Sequence, residues 1–356
     1  MKKRLRIRAY IALAALATTS LFQGLAPTPA MAAGSIVLAC YPGAPETFIR
    51  QELIPLFEKE TGATVTYLTG NSVATIAKLQ AQKDDPQIDV ACIDDGPMIQ
   101  AAGMGLLQTL TPAEMPNAAD IQEVSHLPNG MGLGWGLFRL GLAYNPDEFK
   151  KNNLPELTSW NDLARADLKD HVIVSSISIS YTHMLLILLA RANGGSEENI
   201  EPGFAEMVKI KPNIFNFDTT ADLTSYFQQG EAWVGVWTDS ETYSYAHRTG
   251  FPIKFVFPKE GTAAIQAGIA VVKNGKNTEL ATKFVNFLVG QQAQEIMAQK
   301  LGWLPVNKKA TLPPDMSSVI TSPPANGDKI VPIDWTYLNK QLPAWTERWN
   351  KEIEVQ

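Results

Sequence analysis

Hydroxyl and amide side chains gather at places where helices should begin: Asn71 and Ser72, then Ser175, Ser176 and Ser178. A helix start leaves backbone N–H groups unpaired and carries partial positive charge, so such a cluster can hold a carboxylate or a phosphate. Arg139 adds a planar guanidinium able to grip a carboxylate through two parallel hydrogen bonds. Asp94, Asp95 and Asp239 offer the opposite chemistry, accepting from an amine or from sugar hydroxyls. Tyr41, Trp135, Trp237 and Tyr243 can supply apolar faces. Together these types suit capture of a small zwitterion or polar organic acid, such as an amino-acid derivative or an opine-like conjugate. Plain structural roles stay open beside the binding ones. Asn and Ser cap helices, Asp89 and Asp239 can orient loops, and Trp233 and Trp237 alternate with valine as buried strand residues do.

Bond-making chemistry finds less support. The histidines His126, His171, His183 and His247 are scattered, and the chain has no G-x-S-x-G, H-E-x-x-H or P-loop pattern. The glycine-rich stretch 130–141 lacks G-x-G-x-x-G spacing and a surrounding βαβ frame, so it reads as a strand crossing between lobes. Its Trp135 either stacks on a ligand or fills the core. No enzyme activity, cofactor or resident metal is expected.

Three short apolar runs, 36–41, 64–68 and 88–93, read as parallel strands buried on both faces, with helical segments between them. Each stops at turn residues: 41–44, 70–72 and 94–97. Ligands of open α/β sheets bind beyond the carboxyl ends of the strands, so these turns should form one edge of a site. A helix over about 45–60 carries Ile49, Leu53, Leu56 and Phe57 on one stripe and closes at Gly62. A second begins at Asn71 and Ser72. Further on come strand 172–174 with the serines after it, helix 181–192, and a helix capped by Asp218 and Thr219. Then follow strand 232–237 ending in a polar segment 238–243, strands 251–257 and 265–272, helix 278–298, a Pro-rich connector 312–324 and a terminal helix 335–353.

The chain has 356 residues, 45% hydrophobic and 19% charged, with a net charge of −6. That length favours two lobes, and the absence of a basic stripe argues against a nucleic-acid partner. Residues 1–33 read as a cleavable export signal: basic at Lys2, Lys3 and Arg4, apolar over 9–25, with Ala30 and Ala32 flanking a cleavage position. Pro27 and Pro29 argue against a membrane anchor. Cys40 and Cys92 end neighbouring strands if the order is 2-1-3. An oxidising compartment would permit a disulfide, but adjacent parallel strands rarely present the geometry, so two buried thiols are the expectation.

An ordered set of segments then carries a resemblance. Gly230-Glu-Ala-Trp-Val-Gly-Val-Trp237, Phe257-Pro-Lys-Glu-Gly261, Lys273-Asn-Gly-Lys-Asn277, Phe284-Val-Asn-Phe-Leu288 and Leu304-Pro-Val-Asn307 resemble periplasmic solute-binding proteins of ABC importers. The nearest group includes polyamine and ferric-iron binders. Phe57-Glu-Lys-Glu-Thr-Gly62 and Leu142-Ala-Tyr-Asn145 agree with it. The resemblance implies an α/β, two-lobe periplasmic binding protein fold of type II. Each lobe would be a mixed or parallel sheet flanked by helices, joined by hinge crossovers. Lobe 1 would span 34–137 plus 262–305, and lobe 2 would span 138–261 plus 306–356. It also implies a periplasmic protein that closes on a small-molecule ligand and is read by a membrane permease; a monomer is expected separately, because no segment resembles a large exposed apolar interface. The polyamine branch typically has a Trp-x-Asp group where this chain reads Ile265, Gln266, Ala267, which turns the expectation away from polyamines. Tyr243 and Tyr245 lie near the place of the iron branch's paired tyrosines, but i, i+2 spacing on a strand would point them apart.

Overall fold

The computed structural model describes residues 34–127, 130–220, 222–320 and 329–354. The expected export signal and the end of the Pro-rich connector lie outside them. Strands β1 (Ser35–Cys40), β2 (Thr64–Thr69) and β3 (Val90–Cys92) are parallel, in the order β2-β1-β3. Buried Asp89 ties this edge together: its carboxylate accepts from the backbone N–H of Val37 at 2.9 Å and of Asn277 at 3.0 Å.

The helix expected over 45–60 is α1 (Ala44–Phe48), a π-helical turn over 49–53, and α2 (Ile54–Thr61). Pro55 explains the widened turn. It has no N–H for a regular bond, and its ring crowds the carbonyl four residues back. Gly62 closes α2 at φ 71°. Helix α3 (Ser72–Ala81) follows β2, with the Asn71 side chain accepting from Ala74 N at 2.9 Å. The expected loop 94–97 is largely helical, because Asp94 starts α4 (Asp95–Gly103) directly after β3.

The glycine-rich stretch is one long strand, β4 (Leu133–Tyr144), followed by α5 (Pro146–Lys151). A register shift between Gly134 and Gly136 bulges β4 at Trp135. A Cβ at Gly136 would lie 2.7 Å from the Trp303 ring, so the glycine makes room for an aromatic neighbour.

The remaining elements are β5 (Val172–Ser175), α6 (Ser180–Ala192), α7 (Glu201–Ile210), β6 (Ile214–Asp218), α8 (Thr224–Gln228), β7 (Val234–Thr238) and α9 (Asp239–Thr249). They continue as β8 (Lys254–Val256), β9 (Ala264–Val271), α10 (Thr278–Leu288), α11 (Gln291–Lys300), α12 (Met316–Val319) and α13 (Trp335–Glu352). The strands run β2-β1-β3-β9-β4-β7-β5-β6, with β8 also on β4. Strand β9 is antiparallel to both β3 and β4, and β4 is antiparallel to β7, so the chain passes between the two halves of the sheet through β4 and β9.

Four further expectations change. Asp218 ends β6 and holds Thr220, with α8 starting only at Thr224. The segment 238–243 is the start of α9, because Thr238 caps it by accepting from Glu241 N at 3.2 Å. Helix 278–298 breaks into α10 and α11 at Gly290. The Asn117 amide donates to the Asn286 carbonyl at 2.9 Å, removing a bond the continuous helix would need. Cys40 and Cys92 form a disulfide, correcting the expected free thiols. Leu38 pairs with Val90 and Ala39 with Ala91, and this register brings the next matched pair to a Cα separation of 4.7 Å, within bridging range.

Candidate functional site

A cavity of about 460 Å³ opens beyond β1 and β3, at the starts of α3, α4, α6 and α9. On one wall the Tyr41 hydroxyl donates to Asp94 Oδ1 at 2.8 Å and the Ser72 hydroxyl donates to Oδ2 at 3.0 Å. Ser72 in turn accepts from the Asp94 N–H at 3.1 Å. Facing it, the Tyr181 hydroxyl donates to Glu241 Oε2 at 2.9 Å and Thr238 Oγ1 donates to the same oxygen at 2.8 Å. Each wall therefore carries one carboxyl held by one tyrosine and one short hydroxyl. Phe138, Ile265, Ala267 and Trp303 form the apolar floor, with Trp303 edge-on to Phe138 at 4.6 Å. Among the described residues, no lysine or arginine lines the cavity.

The electrostatics follow from burial. Loss of water raises the Asp94 pKa, against the hydrogen bonds from Tyr41 and Ser72. Burial pushes Glu241 up to about 7, with Thr238 and Tyr181 opposing and the charges of Asp222 and Asp239 assisting. Tyr41 and Tyr181 are driven well above the ordinary phenol range by burial first and by their carboxyl partners second, so both remain donors. These carboxyls have hydroxyl partners and no cation, and an arriving ammonium would supply the missing charge.

Of the residues singled out from sequence, Tyr41, Asn71, Ser72, Asp94 and Ser178 line this cavity. The others do not. Asp95 turns to the opposite side of α4 and lines a smaller apolar pocket of about 210 Å³. Burial, and then the Asp94 charge, push its pKa up to about 7. Trp135 is fully buried at the bulge, packed on Trp303 at 5.1 Å. Arg139 is not a free carboxylate clamp: its Nε donates to Asp239 Oδ2 at 2.6 Å, its N–H donates to Oδ1 at 2.9 Å, and its guanidinium lies over Phe257 at 4.5 Å. That pairing also consumes Asp239, which is 0% exposed. Ser175 is buried at the end of β5, and Trp237 is buried beside Phe227 and Tyr245. Tyr243 points toward α12, donating to Asp315 Oδ1 at 2.8 Å. Tyr243 and Tyr245 sit on helix α9, not a strand, and neither lines the cavity. Among the described residues no cluster of His, Cys, Asp and Glu could hold a metal ion.

The sequence places Trp135, Phe138 and Arg139 of the glycine-rich strand near the cleft, and of these Phe138 does line it; Glu241, Tyr181 and Trp303 were missed. Glu241 had a signal: Thr238 and Glu241 have the S/T-x-x-E spacing of a helix start, which would have exchanged a polar loop for a helix. Trp303 had none, because it follows α11 in an irregular segment.

The family model for bacterial extracellular solute-binding proteins matches residues 52–325. The spermidine/putrescine-binding periplasmic protein 1 of Haemophilus influenzae is 26% identical over 271 residues, covering 74% of each chain. The iron uptake protein A1 of Synechocystis sp. is 26% identical over 305 residues, 79% of this chain and 81% of that protein. The crystal structure of an ABC transporter protein from Clostridium perfringens shares the fold with a TM-score of 0.75, at 24% identity, covering 89% of this chain and 99% of that one.

Proposed function

The chain belongs to the bacterial extracellular solute-binding protein family, and from that premise we propose that its solute is an organic ammonium cation of the polyamine class. It is the solute-binding component of an ABC importer: it takes up a small molecule and passes it to a membrane permease without altering it. The observation that carries the cation reading is the pair Asp94 and Glu241 in one cavity with no lysine or arginine among its described lining residues. Aromatic floor residues suit the methylene chain between charged ends, and ammonium groups favour aromatic faces. The spermidine/putrescine-binding relative supports the same class.

In this reading the chain is exported to the periplasm on its leader 1–33 and works as a monomer. Lobe 1, 34–137 plus 262–305, closes on lobe 2, 138–261 plus 306–356. The zwitterion or organic-acid reading loses the Arg139 clamp. It keeps one feature in its favour: Ser178 and Ser180 bring the start of α6 to the cavity wall.

A thermal-shift screen separates the two. A ligand at 100 times its Kd stabilises by about 2.7 kcal/mol. Putrescine or spermidine should raise the melting temperature, and opines, amino acids and organic acids should not. A shift with acids alone would overturn the cation reading.

A further inference from the structure

We propose that Glu354, just past the end of α13, is a positioning residue for the cleft: it clamps Ser176 and so fixes the β5–α6 turn that forms part of the second wall. Ser178, Ile179 and Ser180 bring that turn to the cavity, and Tyr181, the next residue, donates to Glu241. Neither Ser176 nor Glu354 is among the described lining residues. The buried Ser176 hydroxyl instead donates away from the cavity, to Glu354 Oε2 at 3.1 Å. The same oxygen accepts from the Trp349 indole N–H at 2.7 Å.

Ser176 is also the junction of the two segments that furnish this wall. Its N–H donates to the Asp218 carbonyl at 2.7 Å. The Asp218 carboxylate accepts from the Thr220 N–H at 2.8 Å and hydroxyl at 2.9 Å, and Thr220 lines the cavity. Buried His183 donates from Nε2 to the Ile177 carbonyl at 2.7 Å, since a carbonyl only accepts. On the other side of the clamp, Trp349 meets Phe217 of β6 edge-on at 5.7 Å. Arg348 gives α13 a separate anchor on α7, pairing with Glu201 and covering the Phe204 ring at 4.1 Å. Without the Glu354 carboxylate, the Ser176 hydroxyl and the indole N–H would both lose their acceptor. The turn would then gain by shifting until Ser176 reaches water. Tyr181 would move with it and loosen its hold on Glu241.

The test has two readouts. Putrescine affinity by calorimetry rests on the cation reading above, and amide hydrogen exchange over 176–181 in ligand-free protein does not. Glu354→Ala should weaken putrescine binding on the order of tenfold and speed exchange over 176–181. Glu354→Gln, whose amide oxygen still accepts from both donors, should stay within about threefold of wild type. Ser176→Ala should match Glu354→Ala in affinity, and the double variant should lose no more, because both changes remove one bond. Arg348→Ala loosens α13 at its other anchor, so it should lower the melting temperature and keep affinity within about threefold. Should Glu354→Ala melt early, Ser176→Ala carries both measurements. An Arg348→Ala affinity loss equal to that of Glu354→Ala would make Glu354 merely structural and overturn the proposal. So would additive losses in the double variant, or unchanged exchange over 176–181. A wild-type protein that binds no amine, with exchange still faster in Glu354→Ala, would sink the cation reading and uphold the clamp.

Discussion

The Tyr41 hydroxyl donates to Asp94 at 2.8 Å, and these residues stand one and two positions after the two halves of the Cys40–Cys92 disulfide. The covalent link therefore ties together the strand ends that present one wall of the cavity. Replacing both cysteines by alanine should lower stability by roughly 2–5 kcal/mol in urea unfolding. It should also weaken putrescine binding in calorimetry, since Tyr41 and Asp94 would lose their shared anchor. Unchanged affinity in a destabilised variant would separate the disulfide from the site.

Glu241 is the carboxyl on the facing wall, and a charged hydrogen bond is worth about 1.5–3 kcal/mol. Glu241→Gln should thus weaken putrescine binding by roughly 10-fold to 150-fold in calorimetry. A change below twofold would place the ligand elsewhere.

Glu241 and Asp95 both have folded pKa values pushed up to about 7, mainly by burial. The folded state then holds more protons than the unfolded chain between the ordinary carboxyl range and neutrality. Their contribution to stability is fully present below the unfolded values and is lost as pH rises through about 7. Ligand-free protein should therefore melt progressively lower from mildly acidic to neutral pH, and Glu241→Gln should flatten part of that slope. Amine binding should run the other way, strengthening with pH and releasing protons. Calorimetry in buffers of different ionisation enthalpy checks the proton release.

Partly exposed Arg139 and fully buried Asp239 form an ion pair away from the cavity lining. Removing one member of such a pair typically costs about 3–5 kcal/mol, because the other charge is left buried and alone. Arg139→Ala should show that loss in urea unfolding. Any folded fraction should bind putrescine within a fewfold of wild type. A stability change under about 1 kcal/mol would contradict that account.

The apolar runs at β1 and β3 were legible because mostly buried strands leave few alternatives; β2 proves to be an edge strand alternating exposed and buried residues, contrary to the expectation of burial on both faces, and the Asn71 cap announced α3. Tyr41, Ser72 and Asp94 followed from those strand ends. The second wall was harder to read. Residues 238–243 look polar enough for a loop, and only the Thr238–Glu241 spacing reveals a helix that turns Asp239 inward and Glu241 toward the cavity. Arg139 looked like a ligand clamp because a sequence does not display its partner, which lies 100 positions away. The disulfide likewise depends on which strands become neighbours, whereas the π turn before Pro55 had a local signal in that proline.

The glycines of β4 bear on more than packing. At Gly136 and Gly141 an added methyl would run into Trp303 and Phe255, so these positions are moulds for rings supplied by distant parts of the chain. A stretch that looks slack on paper is thereby among the least forgiving in the molecule. Even alanine at Gly136 would shove the Trp303 indole toward the space reserved for cargo.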